Sequence, residues 1–216
     1  MLAIENTRLY EDSLEAAIRG MRNPMNSWLL SDSDWNEGKY ELGDKDQELA
    51  ESLATAGTDH GKFLRQIQLS MDVIAPLYWW KEFDTYKVGT VANSCSTMHK
   101  ITAKVLTRED FSHEHLYEGT GRNRTPMEVL DHTINELNYW RDQYIKSRNK
   151  DDWWKIIQLL PSSYNQKRTV SLNYAVLRNI YHSRKNHKLD EWHDFCDWIK
   201  ELPYAKILIL SESSDW

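Results

Sequence analysis

Several features that usually announce a function are scarce in this 216-residue chain. It has only two cysteines, Cys95 and Cys196, far apart and with no C-x-x-C pair. That pattern argues against a disulfide scaffold and points to two reduced thiols in a cytosolic protein. No apolar run approaches membrane-spanning length, and the N-terminus lacks a charged segment followed by an apolar one. A soluble, cytoplasmic protein with no membrane partner is therefore expected. There is no excess of positive charge: the net charge is −6, which disfavours a binder of DNA or RNA polymers. A single nucleotide needs only a local basic pocket and is not excluded. Catalytic patterns are also missing, with no Ser-His-Asp order beside an oxyanion loop, no paired-carboxylate constellation and no P-loop. His113 and His115 have no partner at helical spacing, so no metal site is expected and they read as an exposed loop. Gly119-Thr120-Gly121 lacks the strand-before, helix-after context of a dinucleotide fingerprint and reads as a turn.

What the chain does have is aromatic side chains, ten Trp and eleven Tyr, within a hydrophobic fraction of 40% and a mean hydropathy of −0.71. Such rings bury large areas in a core or subunit interface and also stack on bases. The length suits one domain, expected over residues 1–210 with a flexible tail at 211–216. Residues 4–10 read as a short strand and 14–21 as a helix that Pro24 ends. Asp44 with Gln47 reads as a helix start for residues 45–56, closed by Gly57. Residues 66–73 alternate strictly: Ile67, Leu69, Met71 and Val73 interleave with polar residues, the period of a strand with one buried face. An aromatic helix follows over 77–87, then a loop of small hydroxyl residues over 89–99 suited to close approach by phosphate or sugar oxygens. Residues 101–106 suit a strand or a helix end, and 111–124 a polar loop. Thr125-Pro126-Met127-Glu128 combines N-cap, Pro at the first position and Glu at the third, opening a helix to about Ser147. A further amphipathic helix spans 152–160, and 207–210 is a last apolar run.

The chain is organised around residues 160–198. After Leu160-Pro161 comes a helix-compatible run placing Leu172, Val176 and Ile180 on one stripe. Asn173 and Arg184 lie eleven residues apart, close to three helical turns, which predicts that both leave another face together. A guanidinium and an amide so placed suit an anion and a polar ring on one ligand, although a solvated helix face has the same pattern.

The order L-P, an aromatic, T-V-x-x-N, a second Asn and an Arg resembles the C-terminal motif of the flavin-dependent thymidylate synthases (ThyX). Asn173, Asn179 and Arg184 fall on that family's two asparagines and nucleotide-binding arginine without a gap. The segment 190–195 is similar to the family's A-Q-W-E-I; Trp192 keeps the Trp, while the Gln is absent. Val73-Ile74-Ala75-Pro76 resembles the family's V-x-A-P strand end. The R-H-R signature departs: Thr85-Tyr86-Lys87 or Tyr86-Lys87-Val88 stands in its place. In the N-E-x-S-x-R half, Asn93 and Ser96 match, while Ser94 and Met98 replace Glu and Arg. Positive charge there falls to Lys87, with His99 and Lys100 just beyond, and Gln66 lies near a flavin-touching histidine of the family. Lys cannot copy a bidentate guanidinium.

The resemblance implies an α+β fold with a small antiparallel sheet flanked by several helices. It implies nucleotide contacts from Arg184, Asn173, Ser96 and Lys87, and cofactor contacts from Asn179, Asn93, His99 and Gln66; the catalytic residues are unassigned. The implied activity is dUMP methylation, or a related one-carbon transfer on a pyrimidine deoxynucleoside monophosphate. FAD is the implied cofactor, folate the one-carbon donor and NADPH the reductant, in a homotetramer whose sites draw on several copies. In such chemistry the bound groups do most of the work and the protein positions them and stabilises charge. The alternative is a non-catalytic protein that keeps the fold and captures a nucleotide or nucleotide signal.

Overall fold

A computed structural model describes residues 1–117, 119, 121 and 123–212. The Thr120 of the expected turn, and residues 213–216 of the expected tail, lie outside the described residues. The fold is α+β, as expected: helices accompany a small antiparallel sheet whose strands run in the order β1 (Ala3–Leu9), β4 (Gln68–Pro76), β6 (Asn165–Asn173), β5 (Val91–Ser94). A separate antiparallel pair joins β2 (Asp34–Asn36) to β3 (Lys39–Glu41), with Trp35 opposite Tyr40. The chain gathers into two compact units. One comprises Met1–Ala3, Val73–Thr85 and Asn93–Arg168; the other comprises Ile4–Asp72, Tyr86–Ala92 and Thr169–Trp216.

The alternation in β4 does what its period dictates: Leu69, Met71, Val73 and Ala75 are buried while Gln68, Ser70, Asp72 and Ile74 between them are partly exposed. The strand begins at Gln68 rather than Gln66, because a 3-10 turn over Gly61–Arg65 runs up to Gln66. In the first unit, β4 passes into α3 (Leu77–Phe83), where Trp79, Trp80 and Phe83 are fully buried and their rings meet edge-on and stacked. This helix is shorter than the aromatic run that foretold it. Trp80 Nε1 donates to Gln166 O at 2.9 Å, and the Arg168 guanidinium lies 4.2 Å from the Trp80 ring centroid.

The run over 89–99 is not a plain loop. It contains the edge strand β5 and a four-residue helix, α4 (Thr97–Lys100). Cys95 N donates to Lys167 O at 2.9 Å, and Gln166 Nε2 donates to Cys95 O and Thr97 Oγ1. Residues 101–106 form turns and irregular chain, neither strand nor helix end. Next, α5 (Pro126–Ser147) opens with the expected capping box: Thr125 accepts from Glu128 N at 3.2 Å while Glu128 Oε2 accepts from Thr125 N at 2.7 Å. Two backbone donors are thereby satisfied at the exposed end. With α6 (Lys150–Leu159), α5 buries Leu130, Ile134, Leu137 and Ile156 against Leu106 and Phe111.

The second unit holds α1 (Glu11–Met21), α2 (Asp44–Thr55), α7 (Tyr174–Arg184) and α8 (Asp190–Lys200). The N-cap of α2 is Gly43, not Asp44. The first-turn donors Lys45 N and Asp46 N go to Asp32, from the preceding loop, at 3.0 and 3.1 Å. Asp46 is fully buried and receives Arg22 Nε and the Ser31 and Ser33 hydroxyls at 2.6 Å each, plus the Asp32 and Ser33 amides. Burial alone would raise its pKa. The hydrogen bonds from Ser31, Ser33 and Arg22, with the guanidinium's charge, overturn this and hold the carboxyl below the usual range.

Candidate ligand-binding site

The helix expected to carry Leu172 and Asn173 starts one residue later. Leu172 and Asn173 end β6, and Asn173 is the N-cap of α7, so Asn173 and Arg184 do not share a helix face. The Asn173 Oδ1 accepts from Val176 N at 3.1 Å, which leaves its amide group aimed the other way. That amide rests on Gly89. A Cβ placed on Gly89 would come 2.7 Å from Asn173 Nδ2, and Gly89 also has φ +78°, so glycine is needed here twice over.

Beside this contact lies a cavity of about 670 Å³, within the range of small-molecule and cofactor sites. Its wall is largely apolar: Ala54, Leu64, Val88, Ala175 and Val176. Polar groups come from Asn173, Asn179, Arg65, Arg178 and His182. Among the described residues the lining holds no Asp or Glu, in a chain carrying 33 of them. Anions are therefore favoured in this cavity despite the acidic whole.

Of the residues singled out in the sequence, Asn173 and Asn179 come together at this cavity, and Lys87, exposed, directly precedes the lining pair Val88 and Gly89. Arg184 is outside the lining. It sits at the C-terminal end of α7, where its Nε donates to Tyr86 Oη at 2.8 Å and its guanidinium lies 4.8 Å from the Trp192 ring centroid. Cations are favoured at a helix C-terminus, and the aromatic faces add cation–π attraction. Gln66 is exposed, with its side-chain oxygen 2.8 Å from where a Gly20 Cβ would stand. In the other unit, Ser96 caps α4 by accepting from His99 N at 3.3 Å, while Asn93 on β5 and His99 are exposed.

Arg178 and His182, four residues apart and so on one face of α7, escaped the sequence reading. Arg178 Nη1 donates to Leu208 O (3.3 Å), Ile209 O (3.2 Å) and Ser211 Oγ (3.0 Å), and His182 Nε2 donates to Ile209 O at 3.0 Å. Both thus grip the apolar run expected at 207–210, which is a π-helical turn, Lys206–Leu210. Arg178 Nη2 is buried without a hydrogen-bond partner. Leaving such a donor unmade costs about 1–3 kcal/mol or more. Burial lowers the Arg178 pKa; burial and then the Arg178 charge lower that of His182, keeping it neutral toward more acidic pH than a free imidazole.

The fold is that of the flavin-dependent thymidylate synthases. A thymidylate synthase X from Helicobacter pylori, crystallised with FAD and dUMP, superposes with a TM-score of 0.65 at 17% identity, covering 96% of each chain. A second structure of ThyX from Helicobacter pylori complexed with FAD and dUMP gives 0.64 at 17%, covering 98% of this chain and 99% of that one. The UMP/dUMP methylase PolB from Streptomyces cacaoi, bound with 5-Br dUMP, gives 0.62 at 12%, covering 99% and 96%. No protein-family model and no curated protein sequence matches the chain.

Proposed function

We propose that this chain is a ThyX-like enzyme that binds a pyrimidine deoxynucleoside monophosphate together with FAD and carries out dUMP methylation or a related one-carbon transfer. The observation that carries this proposal is the acid-free, arginine-bearing cavity beside Asn173 and Asn179, in a fold shared end to end with proteins crystallised with FAD and dUMP. The cavity fits such a group: its largely apolar wall suits a ring system, and the buried Arg178 Nη2 has no hydrogen-bond partner of its own. When bound, FAD supplies the redox chemistry, with folate as one-carbon donor and NADPH as reductant.

The chain's own part is positioning and charge. Nucleotide contacts are assigned to Arg184, Asn173, Ser96 and Lys87, and cofactor contacts to Asn179, Asn93, His99 and Gln66. These are contributed residue by residue to sites drawing on several copies in a cytoplasmic homotetramer, each copy a single domain over residues 1–210. Arg184 is held ready by Tyr86 and Trp192, so little side-chain entropy is lost on binding.

The test is the absorbance of purified protein in the flavin bands, followed by FAD titration and tritium release from labelled dUMP. Flavin uptake with tritium release is the expected result. A protein that binds dUMP but neither carries nor takes up FAD is the non-catalytic nucleotide-binding alternative, and one that binds neither removes the proposal.

A further inference from the structure

The Arg178 cation is compensated in an unusual way. Its partners are two backbone carbonyls and a serine hydroxyl, all on Nη1, and no carboxylate pairs with it among the described residues. Nη2 is buried without a hydrogen-bond partner, and among the described residues none accepts from Nε; that edge of a guanidinium is one along which an oxyanion is gripped by two parallel N–H groups. The side chain lines the cavity, where Arg65 is the other charged lining residue among those described and burial lowers the pKa of His182. Because Nη1 is tied to Leu208, Ile209 and Ser211, the guanidinium plane is fixed before any ligand arrives.

From this geometry we infer that Arg178 is the phosphate anchor of the cavity, taking a phosphoryl group of the ligand on its Nε–Nη2 edge while the Lys206–Leu210 turn holds it in place. The inference deepens the proposed function and rests on the cavity being a nucleotide site. It assigns to this chain a cation outside the segment that resembles the R-H-R signature, where Thr85-Tyr86-Lys87 or Tyr86-Lys87-Val88 stands. The shared chemistry is a phosphoryl oxygen, whether of the nucleotide's monophosphate or of the cofactor's pyrophosphate.

The experiment is calorimetric titration of wild type, Arg178→Gln and Arg178→Lys with dUMP, deoxyuridine, FAD and riboflavin. Melting curves identify any variant that has lost its fold, and Arg178→Lys, which keeps charge and a tether, serves if Arg178→Gln has. Affinity for one phosphate-bearing ligand should fall roughly ten- to a hundredfold in Arg178→Gln, and less in Arg178→Lys, while its phosphate-free counterpart is unaffected. A loss confined to dUMP assigns the anchor to the nucleotide, and a loss confined to FAD assigns it to the cofactor. Unchanged affinity for both, or an equal loss for riboflavin and deoxyuridine, overturns the anchor. If wild type binds neither dUMP nor FAD, the proposed function fails, and inorganic pyrophosphate becomes the probe. Binding by wild type that Arg178→Gln abolishes then keeps the anchor, and no difference between the two removes it as well.

Discussion

Arg22 and Arg178 lie in the same compact unit and are both drawn into it, yet they are built for opposite ends. Arg22, only 4% exposed, meets a carboxylate that is itself satisfied by hydroxyls and amides, so both charges of the pair are compensated. Arg178 meets carbonyl dipoles, keeps an unpaired nitrogen and lines a cavity that has no Asp or Glu among the described residues. A buried cation with a complete set of partners fixes a loop. A half-buried one with an incomplete set, as at Arg178, spends stability to stay available.

The largest expected effect tests the first half of that contrast. Removing one partner of the buried pair, by Arg22→Met or Asp46→Asn, should cost about 3–5 kcal/mol by urea denaturation, because the other charge or its donors are stranded. The double variant should recover part of the loss. Since the Asp46 carboxyl titrates below its unfolded value of about 4, its contribution is fully present above that value and is lost as pH falls through the folded pKa. Arg178→Gln should cost less stability than either, about 1 kcal/mol, because it also removes an uncompensated cation. A loss as large as that of Arg22→Met would erase the contrast.

Helix caps sharpen the comparison at a smaller scale. Thr125→Ala and Asn173→Ala should each cost about 1 kcal/mol, since each removes one side-chain acceptor from a helix start. They differ in what else is lost. Asn173 also presents its amide to Gly89 at the cavity, so Asn173→Ala should weaken nucleotide or flavin binding while Thr125→Ala leaves it unchanged, as calorimetry would show. Equal ligand affinity in both variants would reduce Asn173 to a cap.

How much of this was legible depended on whether the signal was local. The β4 alternation and the Thr125 capping box are local, and both appear in the structure, β4 shifted by two residues because a 3-10 turn absorbs Gln66. The β5 strand was hidden because it is four exposed residues at a sheet edge, with no buried face to impose a period. The Asn173–Arg184 face was misread because Leu172 and Val176 are both buried whether the chain is extended or helical, and the strand-to-helix change falls between them. Arg178 looked like any helical arginine. The clue was its i,i+4 relation to His182, but their meaning lies in contacts with residues 208–211, some thirty positions downstream. The ThyX-like fold survived all this because its apolar pattern did.

The smallest expected effect is on the orientation of Arg184, a third cation held in a third way, by aromatic side chains. The Tyr86 hydroxyl accepts from Arg184 Nε at 2.8 Å. Trp192, fully buried, offers its ring face to the same guanidinium. Tyr86→Phe keeps the ring and deletes only the hydroxyl, so the fold should lose no more than about 1 kcal/mol. The guanidinium keeps its charge but not its fixed orientation. If Arg184 contacts the nucleotide, affinity for dUMP should fall by roughly three- to tenfold, the cost of ordering a freed side chain. Arg184→Ala, by contrast, should remove roughly ten- to a hundredfold, the worth of a charge-assisted contact. The ratio of the two losses is the informative quantity. A Tyr86→Phe loss equal to that of Arg184→Ala would place the hydroxyl itself on the ligand. No loss in either variant would leave Arg184 as a structural cation, and the nucleotide's phosphate would then depend on Arg178.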